Sequence, residues 1–293
     1  MTIQRREPEG RDQQGRKAGE PMTERGSLVG DQPAVITGNL SHRFQKPDGG
    51  TMNVLEDVSF TVREKEFFTV VGPSGCGKST LLNVASGLLR PTSGDVRLVK
   101  RNRDLKQAEI GYITQDSNLF PWLTAVQNVM MPLEIRGVPK KERLERATEW
   151  LDLVGLTGFE NHYPRQLSGG MQKRCSIART LVHEPEVLLM DEPFGALDAI
   201  TKATLQKTVL ELWEKRQTSV VFITHDLTEA IALSDRVAVM TGRPGRIRAI
   251  VDIEIDRPRD VYNITDLPSF KSLRRELWQL LETELESSGG MKR

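Results

Sequence analysis

The sequence predicts an α/β fold built on a mostly parallel sheet, and two observations carry that prediction. The run Phe67–Val71 is apolar throughout, has the length of a strand and ends on a glycine-rich turn. After the turn, Leu81, Leu82, Val84, Ala85 and Leu88 recur at helical spacing. Beyond Leu188 strands and helices alternate: a strand closing at Asp191, a helix over 200–215, a strand Ser219–Thr224, a helix over 226–233 and a strand Arg236–Met240. Alternation of this kind, with strands that are apolar on both faces, points to a parallel sheet covered by helices.

The turn itself reads Gly72-Pro73-Ser74-Gly75-Cys76-Gly77-Lys78-Ser79-Thr80 and fills every fixed position of GxxxxGK[ST]. A chance Gly/Ser loop would not also sit between a strand and a helix. Glycines let backbone N–H groups approach phosphate oxygens, and the helix N-terminus adds positive potential. Lys78 is placed to reach β- and γ-phosphates, and the Ser79 hydroxyl to ligate Mg²⁺. Cys76 is either a thiol beside the phosphates or a filler at a permissive position.

Composition narrows the remaining classes. Charged residues make up 28% of the 293 and the formal net charge is +1, so bulk charge gives no case for nucleic-acid binding. No apolar stretch is long enough to span a bilayer, and the N-terminus has no apolar signal core. The two cysteines, Cys76 and Cys175, suggest no disulfide framework and fit a reducing cytosol.

Along the chain, residues 1–33 are polar, mixed in charge and aperiodic, and read as a disordered tail. Strand-like runs at 34–38 and 54–62, with a turn at Pro47-Asp48-Gly49-Gly50, suit a small antiparallel β-layer. A strand over 109–114 runs into Gln115. Residues 116–175 then change to helical spacing at 126–133 and 141–154, an inserted helical subdomain. Phe270, Leu273, Leu277, Leu280 and Leu281 share one face of a last helix over 268–286.

Asp191 closes an apolar strand and is followed by Glu192. Such a strand end presents Asp191 to Mg²⁺ and Glu192 to an attacking water. A strand-capping acidic pair is the structural alternative. Ser168, Gly169 and Gly170 precede a helix-compatible stretch over 171–181, which makes Ser168 an N-cap with an anion site behind it.

Leu167-Ser168-Gly169-Gly170-Met171-Gln172, lying between the phosphate loop and the strand Val187–Asp191, sharpens the reading. Over about residues 35–255 the chain resembles the ATPase subunit of an ATP-binding-cassette (ABC) transporter. The resemblance implies a P-loop NTPase core (RecA-like, mostly parallel sheet) with an antiparallel β-layer and the helical insertion. It implies a nucleotide-binding domain over 34–258, its helical subdomain at about 116–175, and a C-terminal linker and amphipathic helix over 259–293. It further implies that Gln115 senses Mg²⁺ and the γ-phosphate, that His225 is the switch histidine, and that Asp198 belongs to an interface loop. Phe44 stands where an aromatic stacks on adenine, although a core role is the alternative. ATP and Mg²⁺ are the implied cofactors. Ser168–Gly170 would complete the nucleotide site of a second copy, so the implied partner is an identical subunit. The other implied partners are a membrane permease and, indirectly, an extracytoplasmic solute-binding protein, with no nucleic acid, at the cytoplasmic face of the membrane. In related importers a permease helix seats near Leu119-Phe120-Pro121-Trp122-Leu123.

The short spacing from Gln115 to Leu167 excludes the long coiled coil of chromosome-organising relatives. The segments 194–201 and 241–247 resemble the nitrate/sulfonate/taurine importer group. A soluble ABC ATPase with a regulatory role and no membrane partner is the alternative; it normally needs a second cassette, zinc ligands or a basic surface. Two positions depart from the family pattern: Lys65 replaces a turn glycine, and Lys173 stands where glutamine is frequent.

Overall fold

The computed structural model describes residues 30, 32–99, 109–195, 197–216 and 218–287. The expected tail over 1–33 lies almost wholly outside the described residues. The chain forms β1 (Pro33–Gln45), β2 (Thr51–Arg63), β3 (Phe67–Val71), α1 (Lys78–Ala85), β4 (Ser93–Leu98) and β5 (Ile110–Ile113). It continues through α2 (Ala125–Ile135), α3 (Lys140–Leu153), α4 (Gly169–Leu181), β6 (Val187–Asp191), α5 (Ala199–Arg216) and β7 (Ser219–Thr224). It closes with α6 (Leu227–Leu233), β8 (Arg236–Met240), β9 (Ile247–Asp252) and α7 (Pro268–Ser287).

The strands form two sheets. One is antiparallel, in the order β2-β1-β4; the other runs β5-β6-β7-β3-β8-β9. In the larger sheet all neighbours are parallel except the β8–β9 pair. The α/β class expected from the sequence is therefore present, with its mostly parallel core, antiparallel layer and helices α2 to α4 inserted between β5 and β6.

Two-sided burial explains why β3, β6 and β7 read as unbroken apolar runs. Alternate residues enter two separate cores. Phe67 and Val71, Leu188 and Met190, and Val220 and Phe222 face the helices α2 to α7. Phe68 and Val70, Val187 and Leu189, and Val221 and Ile223 face α1 and the antiparallel layer. Each buried aliphatic or aromatic side chain contributes about 1.5–3 kcal/mol by leaving water, so a one-residue slip of any of these strands would empty both cores.

Some elements differ from expectation. β1 runs on past Gly38 to Gln45, because bulges between Thr37 and Leu40 and between Leu40 and His42 break the period-two pattern. Asn39 takes a left-handed φ of 45° at that irregularity. α1 stops at Ala85, and Leu88, counted into its apolar face from spacing, is 68% exposed beyond the helix end. β4 and β9 are strands that spacing did not suggest. Lys65, in place of a turn glycine, adopts φ 61°, so the turn keeps the left-handed geometry with a side chain in it.

His183, just after α4, is an acid-labile point. Burial, with Arg136 nearby, pushes its ring down from an ordinary value of 6.5 to about 4. In the unfolded chain it still titrates near its ordinary value. Between those two values the unfolded state binds a proton that the folded state refuses, so stability falls as pH drops from about 6.5 towards 4. Denaturant titrations should show the wild type losing stability by up to about 1.4 kcal/mol per pH unit more steeply than His183→Gln across that window; equal slopes would show that His183 does not titrate there.

Candidate nucleotide site

The register of the parallel sheet sets the site. Val71 pairs with Thr224, and Asp191 with Ile223, so β3, β6 and β7 end level. Whatever follows those three ends must cluster at one edge, where open parallel sheets bind ligands.

Following β3, residues 72–77 make the phosphate loop. Gly75 and Gly77 have φ of 74° and 110°. A side chain on Gly77 would also meet Val54 O at 3.0 Å, so both conformation and space require glycine there. Lys78 is buried and folds back over the loop, donating to Gly72 O at 2.8 Å and Pro73 O at 3.1 Å. Cys76 is also buried, and burial pushes its thiol up, which fits the filler alternative rather than a reactive thiolate.

Where β6 ends, Asp191 accepts a 3.1 Å hydrogen bond from the Ser79 hydroxyl. Burial raises the Asp191 carboxyl, opposed by that bond. The next residue, Glu192, has φ 43°, and its N–H is held by Ile223 O at 3.0 Å. A left-handed glutamate costs of order 1 kcal/mol and persists only where the surroundings enforce it. Here it turns the carboxylate toward the end of β7, where Glu192 Oε2 lies 3.0 Å from His225 Nδ1. Gln115 joins the group: a Cβ built on Gly195 would lie 4.0 Å from Gln115 Nε2 and 3.9 Å from Glu192 Oε2. The residues expected at the site from 72–80, 115, 191–192 and 225 are thus brought to one edge.

The structure reveals two supports that sequence reasoning missed. After His225, Asp226 caps α6 by accepting from Thr228 N at 2.7 Å. Lys202 of α5 donates to Asp226 Oδ2 at 2.7 Å and to Glu229 Oε1 at 2.6 Å. The second support is Lys173. It is buried, and its ammonium donates to Thr114 O and, at 2.9 Å, to Gln115 O. Burial pushes it down to about 8, against the pull of the Asp116 and Asp191 carboxylates. Arg179, two turns along α4, holds Asn118 O at 2.8 Å and Ser117 O at 3.2 Å. The departure from glutamine at 173 was visible in the sequence; its reach to the Gln115 backbone was not.

The remaining expected residues lie elsewhere. Ser168 caps α4, accepting from Met171 N at 3.3 Å. A Cβ on Gly170 would meet Thr201 Cγ2 at 2.7 Å, so the Ser168–Gly170 turn abuts the start of α5. There Asp198 accepts from Ile200 N and Thr201 N, and hydrogen bonding to Thr201 holds its carboxyl below the usual range. Among the described residues no hydrogen bond joins Ser168–Gly170 to the phosphate loop. Phe44 lies in β1, packs edge-on against His42 at 4.6 Å and is 37% exposed, which rules out the core alternative.

A family model described as ABC transporter matches residues 55–195. An uncharacterized ABC transporter ATP-binding protein of Methanocaldococcus jannaschii is 47% identical over 250 residues, covering 85% of this chain and 92% of its own. The chain belongs to the ABC transporter family. It is an ABC ATPase. An aliphatic sulfonates import ATP-binding protein of Bacillus cereus is 40% identical over 85% of this chain and 96% of its own. A taurine import ATP-binding protein of Pelagibacter ubique is 41% identical over 84% and 94%. A dimeric ATP-binding cassette solved in a post-hydrolysis state with ADP and Pi superposes with a TM-score of 0.66 at 33% identity, covering 76% of this chain and all of that one.

If Lys173 holds the Gln115 loop, Lys173→Met should lower turnover about tenfold with little change in KM for ATP, and Lys173→Gln should restore most of it. Steady-state kinetics and a thermal melt of both variants check this; wild-type turnover in a folded Lys173→Met would remove the role.

Proposed function

We propose that this ATPase is the motor subunit of a bacterial-type importer, working as a homodimer on a separate membrane permease. The observation that carries the reading is the split of the site. The phosphate loop, Asp191, Glu192, Gln115 and His225 share one edge, while among the described residues the Ser168–Gly170 turn at the start of α4 makes no hydrogen bond to that loop. An N-cap serine with free helix amides is an anion site, and a second copy would bring it to the γ-phosphate. Asp198, exposed beside that turn, would lie at the same interface.

In this reading the glycine-rich loop and Lys78 hold the β- and γ-phosphates, and Phe44 stacks on the adenine. Ser79 and Asp191 offer converging hard oxygen donors, the set that suits Mg²⁺. When bound, Mg²⁺ would neutralise charge on the β- and γ-oxygens. Glu192 accepts the proton of the attacking water, and the His225 ring orients that carboxylate and contacts the γ-phosphate. Gln115 links the site to the inserted helices through a loop carried by Lys173 and Arg179.

That loop continues into Leu119–Leu123. Leu119 packs on the core and Phe120 is anchored by Asn128, whereas Trp122 is 69% exposed. An exposed tryptophan beside anchored neighbours suits a partner site, and we assign the permease contact to it. Among the described residues no helix is long and apolar enough to cross a membrane. In this reading the subunit acts peripherally at the cytoplasmic face, docked on the permease. The importers named for sulfonates and taurine, at about 40% identity, support a sulfonate, taurine or a similar small solute as cargo, within the nitrate/sulfonate/taurine group that the sequence resembles, delivered by an extracytoplasmic binding protein.

Glu192→Gln should bind ATP normally, turn over at least a hundredfold more slowly and sediment as a dimer with ATP. A strictly monomeric species at high concentration, or wild-type turnover, would contradict the reading.

A further inference from the structure

The loop 241–246 joins β8 to β9 and lies against the phosphate loop. Gly245 is buried there: a Cβ would sit 2.3 Å from Cys76 O, so no other residue allows this approach. Its N–H donates to Val54 O at 2.8 Å and its carbonyl accepts from Glu56 N at 3.0 Å, which pins the loop to β2. With the loop fixed on two sides, the Arg243 side chain reaches the phosphate loop. Nε donates to Gly75 O at 3.1 Å and Nη2 to the same oxygen at 2.8 Å. Nη1 lies 3.2 Å from Met52 Sδ. Met52 is the cross-strand partner of Phe44.

The phosphate loop depends on left-handed turns at Gly75 and Gly77, which point carbonyls outward so that amides can face an anion. Outward carbonyls need partners. Lys78 serves Gly72 O and Pro73 O, and Arg243 serves Gly75 O. A forked guanidinium gripping one carbonyl fixes both position and orientation, which a single ammonium does less well.

We propose that Arg243 is a positioning residue for ATP, holding the phosphate loop in its binding shape and tying it to β2, the strand paired with the one that carries Phe44. It acts on nucleotide affinity rather than on the chemical step, because its hydrogen bonds go to the Gly75 carbonyl and Met52, whereas Glu192 and His225 pair with each other. The inference rests on residues 72–80 being the ATP phosphate site.

The test measures ATPase kinetics and equilibrium binding of a fluorescent ATP analogue on the full chain. Arg243→Ala should raise KM and the analogue's Kd about tenfold while kcat at saturating ATP changes less than twofold. Arg243→Lys should recover part of the loss. Arg246→Ala is the control: it removes the same charge from the same loop, where Arg246 pairs with Glu56 at 2.8 Å, and should leave KM unchanged. Arg243 is exposed, and a thermal melt checks that each variant is folded. Wild-type KM in Arg243→Ala, a loss confined to kcat, or an equal KM rise in Arg246→Ala would overturn the inference. Undiminished binding by Lys78→Ala would instead overturn the phosphate-site reading beneath it.

Discussion

Level termination of three parallel strands is the constraint on which the rest of the molecule depends. β3, β6 and β7 are each buried on both faces, so their register cannot slip without exposing Phe67, Phe68, Met190 and Phe222 to water or void. Because the ends are level, Lys78, the Asp191–Glu192 pair and His225 meet although the three strands that carry them are far apart in sequence. The turn at Glu192 and the hydrogen bond from Ser79 to Asp191 refine a meeting that the two cores have already enforced.

Among the described residues no hydrogen bond joins Ser168 to its own phosphate loop. α4 starts beside Thr201 and runs back to the sheet, so its capped N-terminus faces outward. Yet α4 is not independent of the site, since Lys173 and Arg179 grip the loop that bears Gln115. In the proposed reading one helix thus offers its capped end to a second copy, and its two cations hold its own chain's glutamine loop. Movement of the inserted helices and geometry around Gln115 are mechanically joined.

Much of this was legible in the sequence, for physical reasons. Doubly buried strands are unbroken apolar runs, and a phosphate loop needs glycines, a lysine and a hydroxyl at fixed places. Elements with weaker patterns were not legible. β4 is a mostly exposed edge strand with Gly94 inside it, and β9 alternates only half-buried positions, so neither shows a clear period. Bulges at Thr37–His42 hid the length of β1. Lys173, Lys202 and Arg243 act across 58, 24 and 168 positions of chain, at a range no local pattern can encode. Lys173 at least showed as a departure, and the segment around Arg243 as a likeness.

The central claim is that each hydrolytic site needs the phosphate loop of one copy and the Ser168 turn of another. Ser168→Arg and Lys78→Ala subunits should each be inactive alone. Mixed, they form heterodimers in which one site draws its intact phosphate loop from the first and its intact serine turn from the second. ATPase measured across mixing ratios should recover activity that peaks near equal amounts. Two inactive variants that stay inactive when mixed, despite forming heterodimers, would contradict the account, as would full activity of Ser168→Arg alone.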